Sequence, residues 1–408
     1  TNTLNDYVSF VYYAEVDTPW GQAGSTPSGS TETGGTDGAD GVNLETKNVY
    51  LDVKIPDTMF KVRAGIQGLG NKNYTIIGDD IPALRVDAKV SDQLSIVALY
   101  SKFFEDQKTQ WDDEDFYFLL AKFKPTDASK LNVGLIWYDS NGLNDRGAAA
   151  MTGLMTSPVL LNLTPGKQGP VTVASALGYD DADLYILHAD GSFDLGMVKV
   201  EAQAAYQFGS AQGAGMSDID FGGYMASAKA SANVGAADVG LRLTYYSSDD
   251  NANDNDWEGF VGDVTGAAYE FPGENLHIFF ADKYYNNTAG GRLAMTEAAY
   301  TGAGLFAING TANVKLGGGY DLKAGAGYFM ALEDTFSGTK VFKDTDMGFE
   351  VGVDFGRKLA EKVDVRLIGS YAVLGDFFAY DGSIDPNFDN NNDPDDIYLT
   401  KAVINVSF

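Results

Sequence analysis

Apolar and polar side chains alternate, position by position, through one segment of this chain after another. Between Val198 and Phe208, one parity holds Val198, Val200, Ala202, Ala204, Tyr206 and Phe208, and the other holds Lys199, Glu201, Gln203 and Gln207. Val49, Leu51, Val53 and Ile55 oppose Asn48, Tyr50, Asp52 and Lys54, and Phe60, Val62, Ala64 and Ile66 oppose Lys61, Arg63 and Gly65. Leu84–Val90 sets apolar residues against Arg85, Asp87 and Lys89, and the pattern returns near Tyr224–Ala230, Val239–Tyr245, Leu322–Leu332, Phe349–Phe355 and Val363–Val373. A period of two is the side-chain period of a pleated strand, whose neighbouring residues point to opposite faces. So many such segments predict an all-β chain with one apolar and one polar face.

The connections carry a second signal. Short ones are expected at Pro56-Asp57, Ser91-Asp92, Pro125–Lys130, Ala189–Phe193, Asn233–Ala237, Gly317–Tyr320 and Arg357–Lys362. Long ones are expected near 16–43, 69–80, 105–114, 139–181, 209–221, 248–302, 333–346 and 376–395. Seven short turns alternating with eight long loops imply sixteen strands. A sandwich has no reason to sort its connections by length, whereas a membrane barrel has short turns at one rim and long loops at the other. In lipid the backbone must be satisfied internally, so such a sheet must also close. The expected fold is therefore all-β, a 16-stranded antiparallel transmembrane β-barrel forming a single domain over residues 1–408.

Composition narrows the alternatives. No apolar run is long enough for a membrane-spanning helix, because Gly147–Gly166 is interrupted by Pro158, Pro165 and Asn162. That stretch reads as loop with a short helix near Ala148–Met155. The chain has no cysteine, so it carries no disulfide or thiolate metal site. A net charge of −29 argues against nucleic-acid binding, which needs clustered Lys and Arg. No leader is visible at Thr1, as expected for a processed form.

The last segment, Asp396–Phe408, again alternates, with Tyr398, Thr400, Ala402, Ile404, Val406 and Phe408 on one parity. An alternating tail ending in an aromatic residue resembles the closing strand of a bacterial outer-membrane barrel. With the strand count and the loop alternation, nearly the whole chain resembles the general porins of Gram-negative bacteria, as a major porin from a lineage distant from the enteric ones, such as a sulfate reducer. The resemblance implies an outer-membrane homotrimer, in contact with bilayer and lipopolysaccharide, in which each subunit passes small hydrophilic solutes and ions by passive diffusion. It also implies a loop folded inward to narrow the channel. The family's narrowing loop follows the fifth strand, and Glu105–Glu114 is short for that role. The longer loops 139–181 and 248–302 are the alternatives, with 139–181 favoured.

The polar parity supplies candidate pore-lining residues. The basic ones are Lys54, Lys61, Arg63, Arg85, Lys89, Lys199, Lys229, Arg242, Lys315, Lys323, Arg366 and Lys401, and the acidic ones are Glu15, Asp52, Asp87, Glu201, Glu350, Asp354 and Asp364. The wall is thus expected to be net basic beneath acidic loops, since loop 248–302 holds ten acids and two bases. Rings of wall charge bias ion choice. A channel with a saturable binding track would need polar or aromatic guides, for which Tyr13, Tyr50, Tyr138 and Tyr246 have the right parity. A structural or adhesive barrel is the third alternative. In the loop Asp385–Asp396, the residues Asp385, Asn387, Asp389, Asp393 and Asp396 match positions 1, 3, 5, 9 and 12 of a calcium-binding loop. The alternative there is a solvated acidic loop. No enzyme is expected. His188 and His277 are the only histidines, lie far apart in sequence, and have no zinc-ligand spacing.

Overall fold

In a computed structural model, residues 2–17, 43–104, 113–141, 181–213, 217–250, 254–260, 271, 274–280, 302–336, 339–340, 344–379 and 394–407 are described. They form sixteen long strands: β1 (Val8–Asp17), β2 (Asn43–Lys54), β3 (Phe60–Gly70), β4 (Gly78–Lys89), β5 (Leu94–Phe104), β6 (Glu114–Thr126), β7 (Ser129–Ser140), β8 (Asp181–Asp194), β9 (Val198–Gln212), β10 (Tyr224–Val234), β11 (Ala237–Tyr246), β12 (Leu305–Gly317), β13 (Tyr320–Met330), β14 (Asp346–Ala360), β15 (Val363–Leu374) and β16 (Ile397–Val406). Each pairs antiparallel with the next, in one continuous sheet. Phe408 lies outside the described residues.

Short and long connections alternate as the sequence predicts. Tight turns use residues that accept a left-handed backbone, as Gly235 (φ 68) does between β10 and β11 and Gly318 (φ 59) between β12 and β13. One expected turn is corrected. Gly191-Ser192 reads as a break, but β8 continues to Asp194 and the chain reverses at Leu195-Gly196-Met197, where Gly196 has φ 90. The ladder explains why: Gly191 and Ser192 pair on both sides, with Leu131 and Lys130 of β7 and with Ala202 and Glu201 of β9.

The sheet is curled. Lys72, just after β3, reaches Glu201 on β9 at 3.4 Å, and Asn73 donates to Gln203 on the same strand at 3.1 Å. Strands six apart in the ladder meet only if the wall bends round an interior. Because sixteen is even, β1 and β16 run antiparallel, as closure of an up-and-down barrel requires. The free side of β1 carries Asn2–Thr3, paired with Phe10 and Ser9. Among the described residues no ladder joins β16 to β1.

The two faces differ as a membrane wall demands. Outside, Leu84, Leu119, Leu187 and Leu241 are 50–52 % exposed. They belong to an apolar surface that runs over most strands and would not be tolerated in water. Above it, near the long-loop rim, Tyr100, Tyr117, Trp137, Tyr185 and Phe208 stack in series across β5–β9, with ring centroids 4.6–5.9 Å apart. Such rings favour the membrane–water boundary. Tyr245 joins the same rim beside Tyr224, 5.7 Å between centroids.

The interior has two tiers. Toward the long-loop rim it is an apolar core that includes Ile76, Phe116, Ile136, Ile186, Phe279 and Phe329. Toward the short turns it is lined by charged residues.

Candidate functional site: an inserted segment and a charged wall

Residues Glu274–Phe280, from the long connection between β11 and β12, lie against the inner face of β10–β15. Glu274 fixes one end. Lys229 Nζ donates to its two oxygens at 2.9 and 2.8 Å, Arg242 Nε at 3.0 Å and Asn309 Nδ2 at 3.0 Å. Arg242 also donates to Ser227 at 3.0 Å and covers the Phe271 ring at 4.9 Å. Burial pushes the Glu274 carboxyl up, but the charges of Arg242 and Lys229, and their hydrogen bonds, outweigh it and hold the group below the usual glutamate range.

Glu350 of β14 fixes the other end. Its carboxylate is fully buried and accepts the backbone N–H groups of His277 (2.5 Å), Ile278 (3.1 Å) and Phe279 (2.9 Å), together with the Ser370 hydroxyl. A non-regular segment has no ladder of its own, and here one wall carboxylate satisfies three consecutive donors. Asn275 bridges Asn313 of β12 and the Ala324 carbonyl of β13, both at 3.1 Å.

Glycines make room for this contact. Gly325 and Gly352 are paired on neighbouring strands and face inward. A Cβ at Gly325 would stand 2.6 Å from the Glu274 carbonyl oxygen, and one at Gly352 would collide with that of Asn275. Above this groove Phe279 stacks on Phe329 at 4.2 Å, while Phe280 meets the same ring edge-on at 5.1 Å. A second insertion, between β3 and β4, buries Ile76 and Ile77 and ties Thr75 to Gln203 at 3.3 Å. The Phe271 N–H donates to the Asn73 carbonyl at 3.1 Å, so the two insertions meet across the interior.

Of the two loops proposed for constriction, the described inward segment thus belongs to 248–302. Residues 142–180, which hold most of the favoured loop and the expected helix at Ala148–Met155, lie outside the described residues.

Several of the residues expected to line a pore form compact ion-paired groups on the polar face of the sheet. Arg63 grips Asp52 with two bonds (2.7 and 2.9 Å), rests on the Tyr50 ring at 3.9 Å and shares Asp52 with Lys61 at 3.6 Å. Arg85 pairs with Asp87 at 2.6 Å, so Arg63 and Arg85, which face each other in the ladder, each have a carboxylate. Arg366 holds Asp354 (2.6 Å), Asp321 (2.5 Å) and Asp364 (3.4 Å), with Lys323 also on Asp354 at 3.6 Å. Glu201 lies between Lys72 (3.4 Å) and Lys199 (3.2 Å). Lys89 leans to Asp92 in the turn at 2.7 Å, and among the described residues Lys54 forms no ion pair. Most of the expected cations are thus paired locally, largely with acids of the same expected lining, Asp52, Asp87, Glu201, Asp354 and Asp364. Three of the neutralising partners, Lys72, Glu274 and Asp321, were not singled out from the sequence.

His188 is buried on the inner face of β8 and stacks on Phe118 at 5.9 Å, while His277 lies in the inserted segment. They belong to different clusters. Asp385, Asn387, Asp389 and Asp393 of the calcium-type loop lie outside the described residues, and Asp396 accepts a hydrogen bond from the Tyr371 hydroxyl.

No protein-family model matches the chain, and no curated protein matches it. Several solved structures share its outline. Pseudomonas aeruginosa OccK10 (OpdN) is 9 % identical with a TM-score of 0.47, over 90 % of this chain and 86 % of that one. Pseudomonas aeruginosa OccK3 (OpdO) is 11 % identical at 0.44, over 87 % and 79 %. A porin refined at 1.8 Å resolution is 11 % identical at 0.35, over 69 % and 76 %. The fold described above rests on the strand pairing and the two faces of the sheet, not on this likeness.

Proposed function

We propose that the protein is a passive channel for small hydrophilic solutes and ions in the outer membrane of a Gram-negative bacterium. The observation that carries the reading is the pairing of an exposed apolar outer face with an ion-paired inner face around a clamped segment. A sheet built this way separates lipid from a polar path. Charges at the turn-end wall supply the polar lining, with Lys61, Arg63, Arg85, Lys89, Lys54, Asp52, Asp87, Arg242, Glu201 and Arg366 as wall residues. Segment 274–280 is the constriction.

One observation favours a selective channel over a wide general pore: the long-loop half of the interior is packed with aromatic and aliphatic side chains. Apolar constrictions gate by excluding water. Swelling of protein-loaded liposomes in sugars of increasing size separates these readings. Flux linear in concentration supports general diffusion, saturable flux supports a binding track, and no flux of any solute or ion refutes the channel.

Assembly as a homotrimer is part of the proposal. Ala202 and Ala204 of β9 pair with Ala228 and Ala226 of β10 on the outer face, a smooth patch beside bulky Leu241 and Leu243 that lets a neighbour approach closely. Calcium in the loop Asp385–Asp396, and divalent bridges from external acids to lipopolysaccharide, complete it. A shift in melting temperature with calcium that chelator reverses would support the first.

A further inference from the structure

We propose that the turn-end lumen wall of β4–β7 binds a small, multiply charged oxyanion, with phosphate as the best-fitting chemistry. Four residues stand in one row across these strands. Lys89 pairs with Ser95, Ser95 with Lys122, and Lys122 with Asn132. All four point inward, because Lys89 shares parity with Asp87 and Asn132 donates to the buried Asp190 at 3.0 Å. With neighbouring strands about 4.8 Å apart, the row places two ammonium groups and two neutral hydrogen-bonding side chains along roughly 15 Å of wall.

The row borders a cavity of about 430 Å³, also lined by Lys124 and Lys130. Among the described residues, four lysines therefore line one cavity whose only lining carboxylate is Asp92. Elsewhere on the inner face, Arg63, Arg85, Arg242 and Arg366 are each matched by carboxylates within 3 Å. Among the described residues Lys122 and Lys130 have no carboxylate in ion-pair contact, and Asp190, an acid beside the row, is engaged by Asn132. Lys89 and Lys124 lean on Asp92 and Asp127, which are 94 % and 99 % exposed, and ion pairs so exposed are worth little and exchange easily. All four ammonium groups are thus available to a guest.

The residue types point to the ligand. Lysines are compact point charges with rotatable donors and bind phosphate as such, without the planar fork by which arginine grips carboxylates and phosphates alike. Ser95 and Asn132 add neutral donors. The guest is accordingly phosphate, either free or as the headgroup of a small phosphomonoester.

The inference deepens the channel reading by giving its turn-end exit an anion station. Its test does not need conduction. Binding of inorganic phosphate and of glucose 6-phosphate to the full chain in detergent micelles is measured by titration calorimetry at low salt. Exposed lysines can be replaced without threatening the fold, and Lys362→Gln, in the exposed turn between β14 and β15 and outside the cavity, is the control. The expected result is saturable phosphate binding that weakens about tenfold in Lys122→Gln/Lys130→Gln and is unchanged in Lys362→Gln. Equal binding of the ester identifies a headgroup site, and binding of the free ion alone identifies an ion site. No binding to the unaltered chain, or equal weakening in Lys362→Gln, overturns the proposal. Loss of conduction with phosphate binding intact would count against the channel reading only.

Discussion

Replacing Glu350 by alanine tests how the inserted segment is held. The carboxylate accepts three consecutive backbone N–H groups, from His277, Ile278 and Phe279, and the Ser370 hydroxyl. Truncation leaves those donors buried beside a vacated space. An unsatisfied buried donor costs about 1–3 kcal/mol, and water entering the space recovers part of it, so a net loss of ~3 kcal/mol is a conservative total for the three. At ~1.4 kcal/mol per factor of ten, the clamped state is disfavoured by roughly 150-fold. The Glu274 clamp and the Phe279–Phe329 stack remain, so the segment loosens locally while the strands stay paired. Hydrogen exchange followed by mass spectrometry reads this directly, because protection of the 277–279 amides reports the local opening free energy. Protection of a peptide covering 274–280 is expected to fall by about two orders of magnitude, with β10–β15 unchanged. Unchanged protection would refute the clamp, and loss across the whole sheet would mean that Glu350 holds the wall rather than the segment.

Other consequences follow from the same contacts. Valine at Gly352 places side-chain carbons where the Asn275 carbonyl lies, and is expected to displace the segment and raise conductance without altering strand content by circular dichroism. Because the Glu274 carboxyl is held below its ordinary range in the folded chain, its ion pairs contribute fully above the unfolded glutamate value and are lost only as pH falls through the lower folded value. The Glu274 end of the segment should therefore stay clamped through mildly acid pH and release below the usual glutamate range, giving a rise in conductance that Glu274→Gln should abolish. Arginine at Leu241, on the lipid face of β11, should cost ~2–4 kcal/mol in urea-dependent folding into vesicles if this face meets the bilayer core.

Much of this wall was legible in the sequence because a strand writes its two faces into every second residue. Val198–Phe208 alternates with Ala205 as the one apolar residue on its polar parity, and β9 spans it. The turn misplaced at Ala189–Phe193 shows the limit: Gly191-Ser192 is turn chemistry, yet cross-strand pairs on both sides override it. Parity puts Arg63, Arg85, Arg242 and Arg366 on one face of their strands, but it cannot say which acid meets which base. Arg366 takes Asp321 from β13 and Asp354 from β14, residues distant from it in sequence. The inserted segment has no period and no motif. Its one signal was composition, since Leu276-His277-Ile278-Phe279-Phe280 is an apolar run inside an acidic loop, following a single glutamate. Such a run has no reason to stay in water.

The central claim is that a polar path crosses this sheet and is narrowed by residues 274–280. It is tested most directly by single-channel recording of the purified chain in a planar bilayer under a potassium chloride gradient, alongside Glu350→Ala. The account predicts discrete conductance steps for the unaltered chain, grouped in threes if it is trimeric, and larger steps for the variant. Silence from both at every voltage would contradict it.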